Sequence, residues 1–571
     1  MAVTIGIDLE DGAFEQDVRE LLMAFYPGAG FVYAEKLSEA DILVTGRFLN
    51  SDGAEEGKYA LDVQKAAGLG QNDESEADLR GKDVCEADLS EKDACEVDLS
   101  GKDDCEAGER FAGEADSDRM ERADWQEVFS QLSPVIRKGL TEAEENLPFA
   151  VNRADRKEMK NRIKRRLYFL LMLETKKELP WGALTGIRPV KIPEEKLSLG
   201  WSDERILGFL EEDYLVGEKK RKLCLEIAKE ERALLGGVDA KNGYSLYVGI
   251  PFCPTTCLYC SFTSYPIGKW KGRLSEYLDC LQKELTMVRE WAGEERKLQT
   301  IYIGGGTPTS LPEEELKTLM EIVHRTFPAD ALEEFTVEAG RPDSLNREKL
   351  RILKAYGSSR ISINPQSMNQ KTLDLIGRRH SVEQVKEIFS IAREEGFDNI
   401  NMDIILGLPG EEEEEIRHTL DEVRALGPDS LTVHCLALKR AARLNTEKQQ
   451  YAGYPMASGK MLDGLVDLAA EQAGAMGMKP YYLYRQKNMA GNLENVGYAR
   501  EGKACLYNVY MMEERQTIAA CGAGTTTKRL FPEENRVERC ENVKEVSQYI
   551  ERIGEMMERK KKLFMDAENG I

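Results

Sequence analysis

The stretch GIPFCPTTCLYCSF, residues 249–262, gathers three cysteines behind an apolar run that predicts a β-strand. Cys253, Cys257 and Cys260 have the spacing C-x3-C-x2-C, which can direct three thiolates at one inorganic centre. A structural zinc site takes four ligands, and the nearest histidine in the sequence is His324. A [4Fe–4S] cluster normally takes four thiolates, so three would leave one iron open to another ligand. The spacing therefore favours an open-iron cluster over zinc or plain buried thiols.

Six apolar runs, of which the run before the cysteines is the first, alternate with amphipathic stretches of helical period. The predicted strands cover residues 245–250, 300–305, 334–339, 360–365, 400–405 and 430–435. Strand–helix units in series predict a parallel sheet. With right-handed crossovers it forms a full or partial barrel, and an open doubly wound sheet is the alternative. In either fold, ligands bind at the carboxyl ends of the strands.

The second predicted strand ends in three glycines, Gly304 to Gly306, which are followed by Thr307 and Pro308. Glycines without side chains let the backbone approach a ligand closely. A glycine triplet alone is common in turns. Here it closes the strand that comes directly after the cysteine loop, so it predicts a second part of the same site.

Together, LYVGIPFCPTTCLYCSF and IYIGGGTPT resemble the radical S-adenosylmethionine (radical SAM) superfamily, and within it the oxygen-independent coproporphyrinogen III dehydrogenase group. PWGALTGIRPVKI, PYYLYRQKNMAGNLENVGYA and QTIAACGAGTTTK resemble the HemZ-type branch of that group. The resemblance covers roughly residues 160–530. It implies an α/β fold: a radical SAM partial (β/α)6 TIM-like barrel with an N-terminal α/β plus helical region and a C-terminal α/β extension.

The resemblance also implies two cofactors, a [4Fe–4S] cluster and S-adenosylmethionine. Cys253, Cys257 and Cys260 match the cluster ligands of the superfamily. The residues that match contacts to S-adenosylmethionine are Tyr247, Gly305, Gly306, Thr307, Glu338, Gln366, Arg378, Asp403 and Ala437. These residue types suit the ligand, because carboxylates accept hydrogen bonds from ribose hydroxyls or an ammonium group and arginine pairs with a carboxylate.

For function, the resemblance implies oxidative decarboxylation of two propionates of coproporphyrinogen III, which gives protoporphyrinogen IX. Such an enzyme needs a low-potential electron donor, which the sequence does not identify. The substrate is a tetra-anion, so basic residues are expected in its pocket. The candidates are Lys439, Arg440, Arg443 and Arg485, for which surface ion pairs are the alternative role.

The chain departs from the coproporphyrinogen group at two positions beside the cysteines. Phe262 stands where many members carry a further cysteine, and Gly249 stands where they carry a histidine. Related sequences with C-x3-C-x2-C-x-F include haem chaperones. A haem-transfer protein without decarboxylase activity is therefore the alternative function, and a radical enzyme acting on another small molecule is a third.

The pattern along the chain predicts five regions. They are a small α/β domain (1–70), an acidic insertion (71–119), a helical region (120–240), the barrel (241–440) and a C-terminal region that covers the substrate (441–571). The insertion repeats with a period of ten residues and holds 18 acidic and 6 basic residues, half of the net charge of −24. It resembles pentapeptide repeats that coil into a β-helix, but three repeats are few for a stacked core, so little fixed structure is expected.

Composition excludes several classes of function. The net charge of −24 argues against binding to nucleic acid, which needs a basic surface. No apolar run reaches the 18 or so residues that span a bilayer, and the first residues, MAVTIGIDLEDG, have no features of a secretory signal. We therefore expect a cytoplasmic protein without a membrane span, whose 12 cysteines are reduced thiols or ligands.

Overall fold

The chain divides into two compact units, Met1–Glu178 and Leu179–Ile571. The computed structural model describes residues 3–49, 56–65, 129–130, 132–145, 148–328, 332–437, 442–447, 454, 457, 459–486, 493–534 and 536–565. The predicted acidic insertion, 71–119, lies outside these ranges. Within them, no helix combines the length and apolar character that crossing a membrane requires.

The first unit is a mixed five-stranded sheet with helices packed on it. In chain order its elements are β1 (Thr4–Leu9), α1 (Glu15–Phe25), β2 (Gly30–Val32), β3 (Ile42–Phe48), β4 (Glu56–Lys65), α2 (Pro134–Glu144), β5 (Phe149–Asn152) and α3 (Arg156–Thr175). The strand order is β2-β1-β3-β4-β5. Helix α3 buries Leu167, Leu171 and Met172 and packs against α1 and β4, so the apolar face of this basic helix belongs to its own unit.

The second unit is built on an eleven-stranded sheet and a separate two-stranded sheet. Its strands are β6 (Gly243–Ile250), β7 (Phe252–Cys253), β8 (Tyr265–Pro266), β9 (Lys297–Gly305), β10 (Glu334–Glu338), β11 (Arg360–Ser362), β12 (Ile400–Leu406), β13 (Ser430–Cys435), β14 (Lys479–Tyr484), β15 (Asn495–Ala499), β16 (Thr517–Cys521), β17 (Thr526–Phe531) and β18 (Arg536–Glu541). Strands β7 and β8 pair with each other and frame the cysteine loop.

Helices surround this sheet. They are α4 (Lys191–Ser198), α5 (Asp203–Tyr214), α6 (Glu218–Leu234), α7 (Leu274–Ala292), α8 (Glu313–Thr326), α9 (Arg347–Ala355), α10 (Gln370–Leu375), α11 (Val382–Glu394), α12 (Glu413–Leu426), α13 (Arg443–Thr446), α14 (Gly459–Ala475), α15 (Leu506–Glu513), α16 (Val546–Glu551) and α17 (Ile553–Met565). Each connection between consecutive central strands, from β6 to β13, contains at least one of these helices.

The centre of the large sheet is the predicted barrel. Its six strands stand in the order of the sequence, β6-β9-β10-β11-β12-β13, and every neighbouring pair is parallel. An unreversed order keeps right-handed crossovers on one face of the sheet, whereas a doubly wound sheet reverses at a switch point. The predicted partial (β/α)6 barrel is therefore confirmed, and the doubly wound alternative is wrong.

Burial explains why these strands read as continuous apolar runs. The successive residues Tyr244, Ser245 and Leu246 of β6, which point to alternate faces, are all fully buried, as is typical of parallel strands that are covered on both faces. Strand β11 is shorter than its predicted range of 360–365, and after it Gln366 adopts a positive φ of 69° and forms an isolated bridge to Ile404.

Elements from the C-terminal part of the chain extend both edges of the barrel. At one edge, β16 runs parallel to β6 and is followed by the antiparallel strands β17 and β18. At the other edge, β15 pairs antiparallel with β13, and β14 pairs with β15. The predicted C-terminal α/β extension is thus present, and it supplies residues to both sides of the barrel mouth.

The segment PWGALTGIRPVKI packs within the second unit. Trp181 is fully buried and donates its indole Nε1–H to Glu494 Oε2 at 2.7 Å, while Lys220 Nζ donates to Glu494 Oε1 at 2.7 Å. Arg485 stacks over the Trp181 ring at 5.2 Å and donates to the carbonyl of Leu184. This buried group of charges and rings joins the segment to β14 and α6.

Candidate active site

A cavity of about 650 Å³ opens at the carboxyl ends of the barrel strands. Parallel barrels bind their ligands at this end. The cavity is lined by all three predicted cluster ligands and by all nine predicted S-adenosylmethionine contacts: Cys253, Cys257, Cys260, Tyr247, Gly305, Gly306, Thr307, Glu338, Gln366, Arg378, Asp403 and Ala437. Residues that lie up to 190 positions apart in the sequence therefore share one site.

The cysteine loop forms one wall of the cavity. Cys253 ends β7, the backbone N–H of Cys260 donates to the carbonyl of Cys257 at 3.2 Å, and all three thiols are free. Burial raises the pKa of the Cys253 thiol to about 11 and also raises that of Cys260. Such thiols ionise when positive charge lies close. Arg341 supplies one such charge, which acts to lower the pKa of the Cys253 thiol, and its Nη1 donates to Cys257 Sγ at 3.3 Å.

The glycines after β9 let two backbone segments run side by side. The N–H of Gly306 donates to the carbonyl of Ile250 at 2.8 Å, and the N–H of Thr307 donates to that of Phe252 at 2.7 Å. A Cβ on Gly306 would lie 2.5 Å from the Phe252 oxygen. Gly305 has a positive φ of 111°, which disfavours any other residue. The glycines thus fix the cysteine loop against β9, in addition to lining the cavity.

Several buried polar atoms at this cavity have no hydrogen-bond partner among the described residues. They are Ser362 Oγ, Asn364 Oδ1, Gln366 Oε1, Arg360 Nε and Arg378 Nε. Buried polar groups in folded proteins are almost always satisfied, so a group of unsatisfied ones at one cavity indicates a polar ligand. Mixed acceptors and guanidinium donors suit a ligand that carries both hydroxyl or ammonium groups and a carboxylate.

The two predicted carboxylate contacts differ in protonation. Burial, reinforced by the charge of Asp403, raises the pKa of Glu338 to about 7, against a 2.6 Å hydrogen bond from the Tyr302 hydroxyl. Burial also acts to raise the pKa of Asp403, but His434 and a 2.7 Å hydrogen bond from Asn401 outweigh it and lower that pKa. Asp403 is therefore a carboxylate at neutral pH, whereas Glu338 changes its charge there.

Three thiols with an open side and the unsatisfied acceptors and donors beside them fit a cluster and its small polar ligand. No group of three or more His, Cys, Asp and Glu side chains in the described ranges meets the geometry for binding one metal ion. The fit to a cluster therefore rests on the chemistry of the three thiols and the polar atoms beside them. Cys253, Cys257 and Cys260 would hold the cluster, and the nine predicted contacts would surround the second cofactor.

The predicted substrate residues are placed differently. Lys439 and Arg440 lie outside the described residues. Arg443 lies on the short helix α13 and pairs with Glu447, Nε to Oε1, at 2.9 Å. Arg485 is 4% exposed and donates to the carbonyl of Leu184 in the interior. Neither Arg443 nor Arg485 is among the described residues that line the cavity.

The structure gives a physical reason for the glycine at position 249. A Cβ on Gly249 would lie 2.4 Å from Cγ2 of Thr525, which comes from the segment between β16 and β17. A side chain at position 249 therefore requires the Thr525 side chain to move. Phe262, the other departure from the coproporphyrinogen group, lines the cavity with 70% of its surface exposed.

Sequence reasoning missed several polar residues at the cavity. Asn364, Arg341, Asn401, His434 and Tyr484 all line it. Two of them had a usable signal, because Arg341 closely follows one predicted strand and Asn364 lies near the end of the next, each within three residues of a predicted site residue. His434 and Tyr484 had none, since their contact joins two strands that are 50 residues apart.

The barrel and its open three-thiol site define a radical enzyme of one superfamily: residues 247–423 match the Radical SAM superfamily. The chain is 43% identical over 399 residues to the oxygen-independent coproporphyrinogen-III oxidase-like protein HemZ of Bacillus subtilis, across 69% of this chain and 79% of that protein. The chain therefore belongs to the radical SAM superfamily and, within it, to the HemZ-type branch of the coproporphyrinogen oxidase group. Members of this superfamily use a [4Fe–4S] cluster and S-adenosylmethionine, and both are the cofactors of this chain.

Two other relatives have names that state different functions, one a haem chaperone and the other an oxidase. The haem chaperone HemW of Bacillus subtilis is 41% identical over 34% of this chain and 51% of its own length. The oxygen-independent coproporphyrinogen III oxidase of Escherichia coli is 33% identical over 37% of this chain and 46% of its own length. The chain thus spans about half the length of each. A solved structure of coproporphyrinogen III oxidase (HemN) from Escherichia coli aligns with a TM-score of 0.45 at 24% identity, over 57% of this chain and 72% of that one.

Proposed function

We propose that the chain catalyses the oxidative decarboxylation of coproporphyrinogen III to protoporphyrinogen IX, in anaerobic porphyrin and haem biosynthesis. The observation that carries this proposal is the single cavity that brings together three thiols and nine polar or small residues from six strand ends. The relationship to the HemZ protein, whose name includes coproporphyrinogen-III oxidase-like, supports the choice of substrate.

In this reaction each of two propionates loses a hydrogen atom, carbon dioxide and one electron, and a vinyl group remains. The cluster and S-adenosylmethionine, when bound, supply the one-electron chemistry that removes hydrogen from an unactivated carbon. We expect Arg378 to pair with a carboxylate of the cofactor and Asp403 to accept hydrogen bonds from its hydroxyls, since both residues line the cavity.

Binding of the tetra-anionic substrate needs positive charge at the cavity mouth. We propose Lys439, Arg440 and Arg443 for this role, because they follow β13, whose end lines the cavity. The sequence predicts the same role for Arg485, but its guanidinium stacks over the buried Trp181 ring. We therefore expect Arg485 to position the PWGALTGIRPVKI segment instead. We also propose that the chain receives electrons from a low-potential donor and that it acts in the cytoplasm.

The test is anaerobic reconstitution with iron and sulfide, followed by incubation with S-adenosylmethionine, a reductant and coproporphyrinogen III. Mass spectrometry should show protoporphyrinogen IX and 5′-deoxyadenosine. Cys257→Ala should lose the cluster absorbance and both products. Cys280→Ala is the matched control, because Cys280 is equally buried but lies on α7 outside the cavity lining, and it should retain both. Bound zinc, or 5′-deoxyadenosine without vinyl product, would contradict the assignment.

A haem-transfer function is the second candidate, and Phe262 and Gly249 favour it because both replace residues of the coproporphyrinogen group. The similarity to HemW is consistent with it. A titration with haem beside the product assay separates the two functions. Tight haem binding without vinyl product supports haem transfer, and vinyl product together with carbon dioxide supports the decarboxylase.

A further inference from the structure

His434 is the one histidine among the described residues that line the cavity. It lies on β13, and its side chain is 27% exposed. Strand β13 pairs in parallel with β12, with Asp403 opposite Thr432 and Ile405 opposite His434. Asp403 and His434 therefore point to the same face of the sheet, which is the face of the cavity.

The imidazole lies between two other cavity residues. Its Nε2 is 3.8 Å from Asp403 Oδ2, and its Nδ1 is 3.3 Å from the Tyr484 hydroxyl. In the tautomer with its proton on Nε2, the Tyr484 hydroxyl donates to Nδ1, and the Nε2–H lies next to the carboxylate at a distance longer than a hydrogen bond. Tyr484 lies on β14, at the far edge of the sheet, so three strands contribute to this arrangement.

Asp403 accepts a hydrogen bond on one oxygen and has the His434 imidazole beside the other. Asn401 Nδ2 donates to Oδ1 at 2.7 Å, and His434 approaches Oδ2. A carboxylate has about four acceptor positions, so each oxygen keeps capacity for a further donor. The geometry leaves a fixed, negatively charged acceptor pair that faces the cavity, which suits two adjacent hydroxyl groups.

We propose that His434, oriented by Tyr484, is a positioning residue that fixes Asp403 to accept hydrogen bonds from the ribose hydroxyls of the adenosine cofactor. This inference rests on the assigned cofactor and on the predicted contact of Asp403, and it does not depend on which substrate the chain decarboxylates. The role acts through Asp403, because the imidazole nitrogens face Asp403 and Tyr484 rather than open space.

The test is calorimetric binding of S-adenosylhomocysteine, and of its analogue without the ribose 2′- and 3′-hydroxyls, to the cluster-reconstituted protein. His434→Leu should weaken binding of S-adenosylhomocysteine roughly three- to fivefold, as expected for a polar contact to a carboxylate that is longer than a hydrogen bond. The same substitution should leave binding of the dideoxy analogue within about twofold. His434→Gln keeps an N–H donor and should recover most of the loss, and Tyr484→Phe should show a smaller loss with the same dependence on the hydroxyls.

Matched controls make the outcome decisive. His418→Gln, at an exposed position on α12, should change neither affinity, and the cluster absorbance should be equal in all variants. Equal losses for both ligands in His434→Leu would show a structural role and overturn the proposal. No loss for either ligand would overturn it as well. These measurements need no porphyrinogen and no turnover, so a failed decarboxylase assay would leave their meaning unchanged.

Discussion

The cavity has two contrasting walls: the first is formed by residues that follow β10, β11 and β12, and the second by the segment between β16 and β17. They differ in whether their polar groups already have hydrogen-bond partners. In the first wall, Asn364, Gln366 and Arg378 each carry an atom without a partner among the described residues. In the second wall, the N–H of Gly522 donates to Glu284 at 2.8 Å, and that of Ala523 to the Tyr277 hydroxyl at 3.1 Å. The first wall can therefore bind a polar cofactor. In the second wall these backbone N–H groups are already hydrogen-bonded within the protein, so this wall contributes its shape.

The second wall depends on a buried ion pair behind it. Glu284 and Lys560 are both fully buried and paired, and Lys560 also donates to the carbonyl of Ala520. Tyr549 and Asn542 donate to the same carboxylate at 2.6 and 2.8 Å. Removing one partner of such a pair leaves a buried charge, which is strongly destabilising, although the pair itself adds little net stability.

The largest expected effect comes from breaking that pair. Lys560→Met should lower the free energy of unfolding by about 3–5 kcal/mol, because the Glu284 carboxylate stays buried without its cation. The double variant Glu284→Gln/Lys560→Met should recover most of that loss. Chemical denaturation measures both, and Lys561→Met, at an exposed position of the same helix, is the control. A double variant as unstable as the single one would contradict this account.

The first wall could be predicted from the sequence far better than the second. The six barrel strands, the cysteine loop and the strand-end residues are local patterns, and each predicted strand overlaps an observed one. The pairing of β16 with β6 joins Ile518 to Ser245, and no periodic pattern reports a contact over such a separation. For the same reason the sequence did not predict the contact of Thr525, whose side chain fills the space beside Gly249.

A smaller effect should appear in the first wall as the pH changes. Because burial raises the pKa of Glu338 to about 7, its carboxylate is mostly protonated at pH 6 and mostly ionised at pH 8. If the ionised form accepts hydrogen bonds from the cofactor, affinity for S-adenosylmethionine should rise roughly tenfold over that range. Glu338→Gln should remove this part of the pH dependence, as measured by calorimetry on cluster-loaded protein. An unchanged profile in Glu338→Gln would show that another group is responsible.

The smallest expected effect on stability lies at Phe262, an exposed ring that lines the cavity. Phe262→Ser should change the free energy of unfolding by less than about 0.5 kcal/mol, since the ring is 70% exposed. Cluster absorbance and S-adenosylmethionine affinity should also stay within about twofold. A tetrapyrrole that packs on this ring should bind roughly two- to tenfold more weakly, because an aromatic pair contributes about 0.5–1.5 kcal/mol.

Titrating Phe262→Ser with coproporphyrinogen III and with haem shows which tetrapyrrole the mouth contacts. Leu199→Ser is the matched control, because Leu199 is 63% exposed in the same compact unit and does not line the cavity. Haem is flat and stacks on an aromatic ring, whereas the saturated bridges of a porphyrinogen bend the macrocycle away from it. A loss confined to haem would thus favour haem transfer, and a loss for coproporphyrinogen III would favour the decarboxylase. Unchanged affinity for both would show that neither tetrapyrrole packs on the Phe262 ring.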